Sequence, residues 1–336
     1  MCRCGIFYFR TAVHYIRNLR GVDETMKPIN NKIEGKSGGN SELSRRKRKS
    51  GLVRENMELY AIMLPTLILI FIFCYIPIYG LLIAFQDYSP GMPFLSFSGN
   101  IKWVGLKHFT RFITGPFFNR IMWNTILLSF YNLLFGFWLP IIFALLLNEV
   151  RSLRFKKFTQ TASYLPYFIS AVVVAGMVLS FVRTDGLANN IVAALGGTRK
   201  AFNTDPKAFP AIYTITNVWK SFGFNSILYL SAITAIDPTL YESAYLDGAT
   251  RFQSMWHITL PSIKPTIAIM LIMAVGSLLA SNTDLILLLY SPATYPTADV
   301  IGTYVYRLGI QGGQFSYTTA IGLLASVINF IMVFAA

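Results

Sequence analysis

From residue 59 onward the chain alternates long apolar runs with short polar stretches, and the run lengths decide what the runs are. A helix that crosses a bilayer needs about 20 mostly apolar residues, because each backbone polar group must find its partner inside the segment. Six stretches meet that need: LYAIMLPTLILIFIFCYIPIYGLLIAF (59–85), IMWNTILLSFYNLLFGFWLPIIFALLL (121–147), and further runs over 159–182, 209–235, 264–290 and 318–336. The expected fold class is an all-α polytopic membrane protein with six transmembrane helices. Pro65, Pro77, Pro140 and Pro166 fall inside the runs, as do the small residues Ala171, Ala175, Gly176, Gly276 and Ser277. Small residues let helices approach closely where lipid removes the hydrophobic drive between them, so the spans should pack as a bundle.

Composition agrees: 54% of the 336 residues are hydrophobic and 13% charged, against about a quarter charged in a soluble domain. The net charge of +14 is unevenly spread, with 13 of the 29 Lys and Arg in the first 58 residues. Local basicity of this kind suits a tail beside an anionic membrane surface rather than a groove that tracks phosphates. Three units follow: a basic, largely disordered tail (1–58), a first span with its outer loop (59–120), and a five-helix core (121–336). Counting Lys and Arg near the span ends gives twelve on the side of the N-terminus, including RSLRFKK (151–157), and nine on the other. By the positive-inside rule both termini are expected in the cytoplasm. Met1 and Met26 are both candidate starts, and the apolar stop at Ala336 leads us to expect a truncated C-terminal end.

Chemistry is sparse. GxxxxGK[ST] and HExxH are absent, so the chain has no ATPase motif of its own. Cys2, Cys4 and Cys74 lack the spacing for a disulfide framework or a zinc site, and no metal is expected. His14, His108 and His257 are far apart, each with an ordinary loop or interfacial role expected. The clear charge inside a run is Lys220, in NVWKSFGFNS. With Asn217, Trp219 and Asn225 it forms a candidate translocation path, where amides hydrogen-bond a hydroxyl-rich solute and aromatic rings stack on sugar faces. The alternatives are that these groups satisfy one another between helices, or that Lys220 snorkels. Asn282 and Asp284 belong near the outer end of the fifth span.

Between the fourth and fifth runs lies ESAYLDGATRFQSMWHITLP (242–261). Asp237-Pro238 is an N-cap followed by a first-turn proline, so PTLYESAYL should be a short helix ending at Asp247-Gly248. ATRFQSMWHITL should form a second, with Phe252, Met255, Trp256 and Thr259 on one side. Glu242 and Asp247 have no nucleophile, ligand or second carboxylate at catalytic spacing, which favours a partner surface over an active site.

Glu242, Ala244 and Gly248, then nine residues, Ile258, one residue, and Leu260-Pro261 resemble the EAA-loop signature of the permease subunits of binding-protein-dependent ABC importers. Asp247 and Ala249 match the DGA form common in sugar permeases, and Ser243 stands where Ala is usual. WVGLKHFTRF (103–112), MWNTILLS (122–129), ASYLPYFISAVVVAGM (162–177) and DVIGTYVYRLGIQGGQFSYTTAIGLLASVINF (299–330) resemble the carbohydrate branch of the MalF-like superfamily, and within it the LplB-type polysaccharide or complex-sugar permeases. The resemblance implies the type I importer fold with short cytoplasmic coupling helices, in a bacterial cell membrane. It also implies docking of an ATP-hydrolysing subunit at residues 237–261, where Glu242 would pair with a basic residue of that subunit and Gly248 would supply the turn. The implied partners are a second, homologous permease subunit, cytoplasmic ATP-binding subunits holding ATP and Mg, and an extracytoplasmic solute-binding lipoprotein. The chain itself would bind no cofactor and carry an oligo- or polysaccharide fragment. A membrane enzyme acting on a lipid-linked sugar and an ion-coupled carrier are the rival classes; clustered carboxylates or mid-span acids would mark them.

Overall fold

The computed structural model describes residue 57 and residues 60–91 and 102–336. The basic tail, with Cys2, Cys4 and His14, lies outside the described residues. The chain divides into two units, Met1–Leu82 and Ile83–Ala336.

The first unit carries the beginning of helix α1 (Tyr60–Phe85). Its winding changes at Phe71–Tyr75, where Ile76 N–H donates to Phe71 O in a π-type turn, and continues as a 3₁₀ stretch. Pro77 accounts for the change, since it has no N–H to extend an α ladder.

Among its described residues the second unit consists of helices and connecting turns, with one isolated bridge, Gln86 with Trp103. In chain order it contains α2 (Lys107–Ile113), α3 (Phe118–Asn148), α4 (Leu153–Phe168), α5 (Ala171–Val182), α6 (Leu187–Ala194), α7 (Phe209–Thr234) and α8 (Pro238–Leu246). After these come α9 (Arg251–Ser262), α10 (Lys264–Val275), α11 (Thr283–Leu289), α12 (Ile301–Val305) and α13 (Phe315–Ala335). Helix α3 is the mast of this unit, because it feeds three separate apolar clusters. Leu128 packs with Tyr213, Leu285 and Ile286; Phe137, Ile141 and Ala144 pack with Tyr229, Ile233 and Ile263; Ile121 packs with Phe112, Tyr304, Tyr317 and Ile321.

Among the described residues four helices are long and apolar enough to cross a membrane: Tyr60–Phe85, Phe118–Asn148, Ala171–Ala194 and Phe315–Ala335. A fifth is counted if Arg251–Ser262 and Lys264–Val275, bent by 59°, form one span. Three expected runs differ from uninterrupted apolar helices, each for a local reason. The run at 159–182 breaks where Ile169 turns extended and the Ser170 hydroxyl accepts from Val173 N–H at 3.3 Å, capping α5. Helix α7 is unbroken, but Asn217, Lys220, Asn225 and its hydroxyls dilute its apolar character. The run at 264–290 stops after Val275 and restarts as α11, with Asn282 as the N-cap.

Close helix contacts use glycine, though not at every expected position. A Cβ on Gly223 would collide with the Ser163 backbone of α4, and one on Gly276 with Val333 of α13, whereas Gly176 has open space around it.

Candidate functional site

Three polar constructions stand out in the second unit. The first is the elbow between α7 and α10. Asp237 caps α8 by accepting from Thr239 N–H at 3.0 Å, and these hydrogen bonds hold its carboxyl below the ordinary carboxylate range. At the other end Gly248 N–H donates to Tyr245 O at 3.1 Å and Ala249 N–H to Ala244 O at 2.9 Å. This pair of bonds is a Schellman ending, which needs a left-handed residue; Gly248 supplies it with a φ of 76°. Ala244 and Ala249, two of the motif alanines, are therefore the two ends of one hydrogen bond. Thr250 and Gln253 next form a reciprocal capping box that starts α9 at once. Both ends of the bend are thus set by the chain itself.

The elbow's inner side is anchored. Tyr241 and Thr259 share a hydroxyl hydrogen bond of 2.9 Å, Arg251 reaches Glu149 O at 3.4 Å, and Met255 and Leu260 pack on the cluster around Ile263. Its outer side is a bare apolar crest: Tyr245 and Leu246 are 80% and 85% exposed, and Phe252 and Trp256 stack with ring centroids 6.4 Å apart. The expected grouping of Phe252 and Trp256 with Met255 and Thr259 is corrected here. Residues 255–259 wind as a π turn, which leaves Phe252 and Trp256 outward while Thr259 is buried. Glu242, Asp247, Gly248 and Pro261 are exposed, and Ala244, Ala249, Ile258 and Leu260 are half-buried. Glu242 makes no ion pair among the described residues. His257 Nδ1 lies 3.1 Å from Gln253 O, an ordinary local contact.

The second construction joins three helices through amides. Asn217 donates to Asn132 Oδ1 of α3 at 2.8 Å, and Asn282 donates to Asn217 Oδ1 at 3.0 Å. The Asn282 N–H also donates to Tyr213 Oη at 3.2 Å. Asn217 is thus the middle link of a chain that crosses the break before α11. Trp219 is 39% exposed, and Lys220 and Asn225 are half-buried. Lys220 has no hydrogen-bond or ion-pair partner among the described residues. Phe224 lies flat on Tyr167, with centroids 3.9 Å apart, and Phe222 meets Phe143 edge-on. These contacts use the rings for helix packing. Asp284 is exposed.

The third construction is one that sequence reading did not single out. Asp299 is fully buried, and its Oδ2 accepts from Arg307 at 2.7 Å and faces Arg120 at 3.7 Å. Thr303 donates to its other oxygen at 2.9 Å. Asn124 of α3 binds the carbonyls of Pro296 and Asp299, and Thr125 accepts from Ile301 N–H at 3.0 Å. Burial opposes the charge of Arg307, but hydrogen bonding to Asp299 and its negative charge outweigh that and raise the guanidinium's pKa. Arg307 also lies 4.6 Å over the Tyr295 ring. This cluster fastens residues 295–307 to the first turns of α3. A signal for it existed in the isolated Asp299 and Arg307 of DVIGTYVYR, two helical turns apart.

A family model, "Binding-protein-dependent transport system inner membrane component", matches residues 136–336, which contain the elbow and, of the amide chain, Tyr213, Asn217 and Asn282 but not Asn132. This chain belongs to that family. Its similarity to a Bacillus subtilis polygalacturonan/rhamnogalacturonan transport system permease protein, YteP, is 42% identity, covering 86% of this chain and 90% of the relative. Protein LplB of the same organism is 40% identical, with 84% and 88% covered. The chain also superposes on a permease chain of a bacterial alginate ABC transporter, solved in complex with an alginate pentasaccharide-bound periplasmic protein. The TM-score is 0.76 at 44% identity, with 84% and 93% covered. The expected resemblance to sugar permeases is therefore confirmed at the level of family and relatives.

Proposed function

We propose that this chain is the membrane permease subunit of an ATP-driven carbohydrate importer, moving an oligo- or polysaccharide fragment into the cell. It works beside a second permease subunit, with ATP hydrolysed on separate cytoplasmic subunits and solute delivered by an extracytoplasmic binding protein. In this reading α7 and the interrupted α10–α11 segment are the fourth and fifth of six spans, both termini are cytoplasmic, and the elbow lies on the cytoplasmic side of a bacterial cell membrane. Residues 59–120 add a first span and outer loop to a permease core over 121–336.

The elbow carries the proposal. Its crest of Tyr245, Leu246, Phe252 and Trp256 is apolar and exposed, while both helix ends and the inner side are held by hydrogen bonds and packing. A rigid apolar crest is the form of a docking element, because a partner gains buried area without first having to order the surface it binds. Glu242, Ala244, Asp247, Gly248, Ala249, Ile258, Leu260 and Pro261 form or border this surface, with Glu242 free for a basic residue of the ATP-binding subunit. Closure of that subunit would push the elbow, and the anchoring of α9 on α3 and α10 would pass the push to the spans as a rigid-body motion. Asn217, Trp219, Lys220 and Asn225 then belong to the translocation path.

The direct experiment is co-expression with the neighbouring transporter genes, purification of the complex, and a screen for solute-stimulated ATP hydrolysis across oligosaccharides. Stimulation by an oligosaccharide together with its binding protein supports the reading. A complex that forms without any ATP-binding subunit refutes it.

A further inference from the structure

We infer that the base of α4 is a docking surface for anionic phospholipid: Arg151, Arg154 and Lys157 take the headgroups, and Phe155 and Phe158 enter the adjoining acyl layer. The inference goes beyond the importer reading and needs from it only that α4 stands in a membrane.

The first observation is charge without a partner. Residues 151–157 carry Arg151, Arg154, Lys156 and Lys157, and after Glu149 the next carboxylate along the chain is Asp185. Among the described residues none of these four side chains makes a hydrogen bond or an ion pair. Arg151, Arg154 and Lys157 are exposed, and Lys156 is half-buried. The cations do nothing for the helix itself. Helix α4 begins at Leu153 and is capped by the Ser152 hydroxyl, so Arg154 in its first turn and Arg151 just before it oppose the helix dipole. An anion placed there is favoured by the side chains and by the dipole together.

The second observation is the face these charges border. Phe155, Phe158, Ala162 and Leu165 share one side of α4 at helical spacing and are all exposed, Phe155 at 58% and Phe158 at 71%. Lys156, Ser163 and Tyr167 share the other side, where Ser163 backs onto Gly223 and Tyr167 stacks on Phe224 of α7. The exposed stripe from Phe155 to Leu165 rises about 15 Å, at about 1.5 Å per residue. Beyond it the chain enters Ala171–Ala194, long and apolar enough to cross a membrane. A protein in the cytoplasm reaches only the foot of such a stripe. Lipid covers all of it, with acyl chains against the rings and phosphate against the guanidinium and ammonium groups. Anionic lipid is the complement of an unpaired cationic turn, and each cation near such a surface is worth about fivefold in binding. Glu149 stands two residues before Arg151, and its carbonyl accepts from Arg251 of the elbow. The lipid footing therefore adjoins the elbow's own anchor.

The test reconstitutes the complete transporter, with this chain at full length, in liposomes doped with photoreactive phosphatidylglycerol or photoreactive phosphatidylcholine. Crosslinks to residues 151–168 are then mapped by mass spectrometry, and reading that segment alone excludes lipid held by the basic residues 1–58. Wild type is expected to show about tenfold more labelling by the anionic lipid, a preference that shrinks in about 1 M salt as screening requires. The triple substitution Arg151→Gln, Arg154→Gln and Lys157→Gln should bring the two lipids within about twofold of each other. Arg151→Lys, Arg154→Lys and Lys157→Arg together should keep the preference, since headgroup attraction follows charge. If the glutamine triple does not insert, the wild-type ratio and its salt dependence decide. Equal labelling in wild type overturns the inference, as does a preference that survives the glutamine triple or high salt. A segment that neither lipid labels in the assembled complex assigns the face to the second permease or to an ATP-binding subunit, and also overturns it. The expected preference in a preparation that brings down no ATP-binding subunit supports the lipid surface while sinking the importer reading.

Discussion

Gly248 offers the sharpest test of the elbow, because two possible reasons for a glycine there make different predictions. A Cβ at Gly248 would meet nothing within 4 Å, so crowding is not the reason. The reason is its φ of 76°, which the Schellman bonds to Tyr245 O and Ala244 O demand. The left-handed region costs an ordinary L-residue about 1–2 kcal/mol, and asparagine less, because its short amide tolerates that conformation. A β-branched residue is a genuine outlier there. If the elbow must hold this turn to receive its partner, 1–2 kcal/mol corresponds to roughly a 5- to 30-fold fall in the population of the correct turn. Solute-stimulated ATP hydrolysis in the purified complex should therefore follow the order Gly248, Gly248→Asn, Gly248→Ala, Gly248→Val, with membrane insertion unchanged throughout. Gly248→Asp should fall between the Asn and Val variants, since aspartate tolerates the backbone but places a carboxylate on the docking face. Full coupling in Gly248→Val, or an Asn variant as defective as the Val variant, would refute the argument from backbone conformation.

Three other outcomes follow from the same geometry. Glu242→Ala should weaken retention of the ATP-binding subunit less than Gly248→Val does, because an exposed ion pair is worth about 0–1 kcal/mol; complete loss of that subunit on co-purification would contradict this. Gly223→Ala should lower the melting temperature in detergent, as forcing α4 and α7 apart costs about 1–3 kcal/mol, and an unchanged melt would show that the contact yields freely. Asp237 has a depressed folded-state pKa, so its contribution to the α8 cap is complete above its unfolded value and is lost as pH falls through the folded one. The advantage of wild type over Asp237→Ala should therefore shrink in strong acid, a convergence readable by amide exchange of Thr239 against pH.

Much of the elbow was legible in the sequence because it is built from local rules. Asp237-Pro238 starts a helix and Asp247-Gly248 ends one, each a backbone requirement met within a few residues; the Thr250–Gln253 capping box, equally local, was not read from the sequence. What could not be read was the outward turn of Phe252 and Trp256, because it depends on a π turn stabilised by packing against the Ile263 cluster. The membrane runs show the same division. Their existence follows from apolar length, but the breaks at Ile169 and after Val275 depend on Ser170 and Asn282 capping new helices, and a hydropathy pattern does not reveal that choice. Lys220 and Asn217 were visible as polar residues in an apolar run; that Asn217 links Asn132 to Asn282 over 85 and 65 residues of chain was not.

The Asp299 cluster shows why such long-range constructions matter to a protein of this kind, and it yields a final prediction. One buried carboxylate holds Arg120 of α3 and Arg307 beyond α12, while Asn124 and Thr125 bind the intervening backbone. The elbow rests on α3 near its other end, through Arg251 and Glu149. The same helix therefore carries an attachment at each of its two ends, and in the proposed rigid-body motion a push at one end would reach the other along it. Asp299→Ala leaves Arg120 and Arg307 without their counter-ion, and because both are partly exposed to solvent the cost should be about 1–3 kcal/mol, below that of a fully buried pair. The charge-removing double variant Asp299→Ala with Arg307→Met should recover part of that stability, because the uncompensated charge is reduced. If the attachment transmits motion, the double variant will fold and bind ATP-hydrolysing subunits yet show solute-independent hydrolysis. Normal solute stimulation in a stable double variant would show that the Asp299 end of α3 plays no part in coupling.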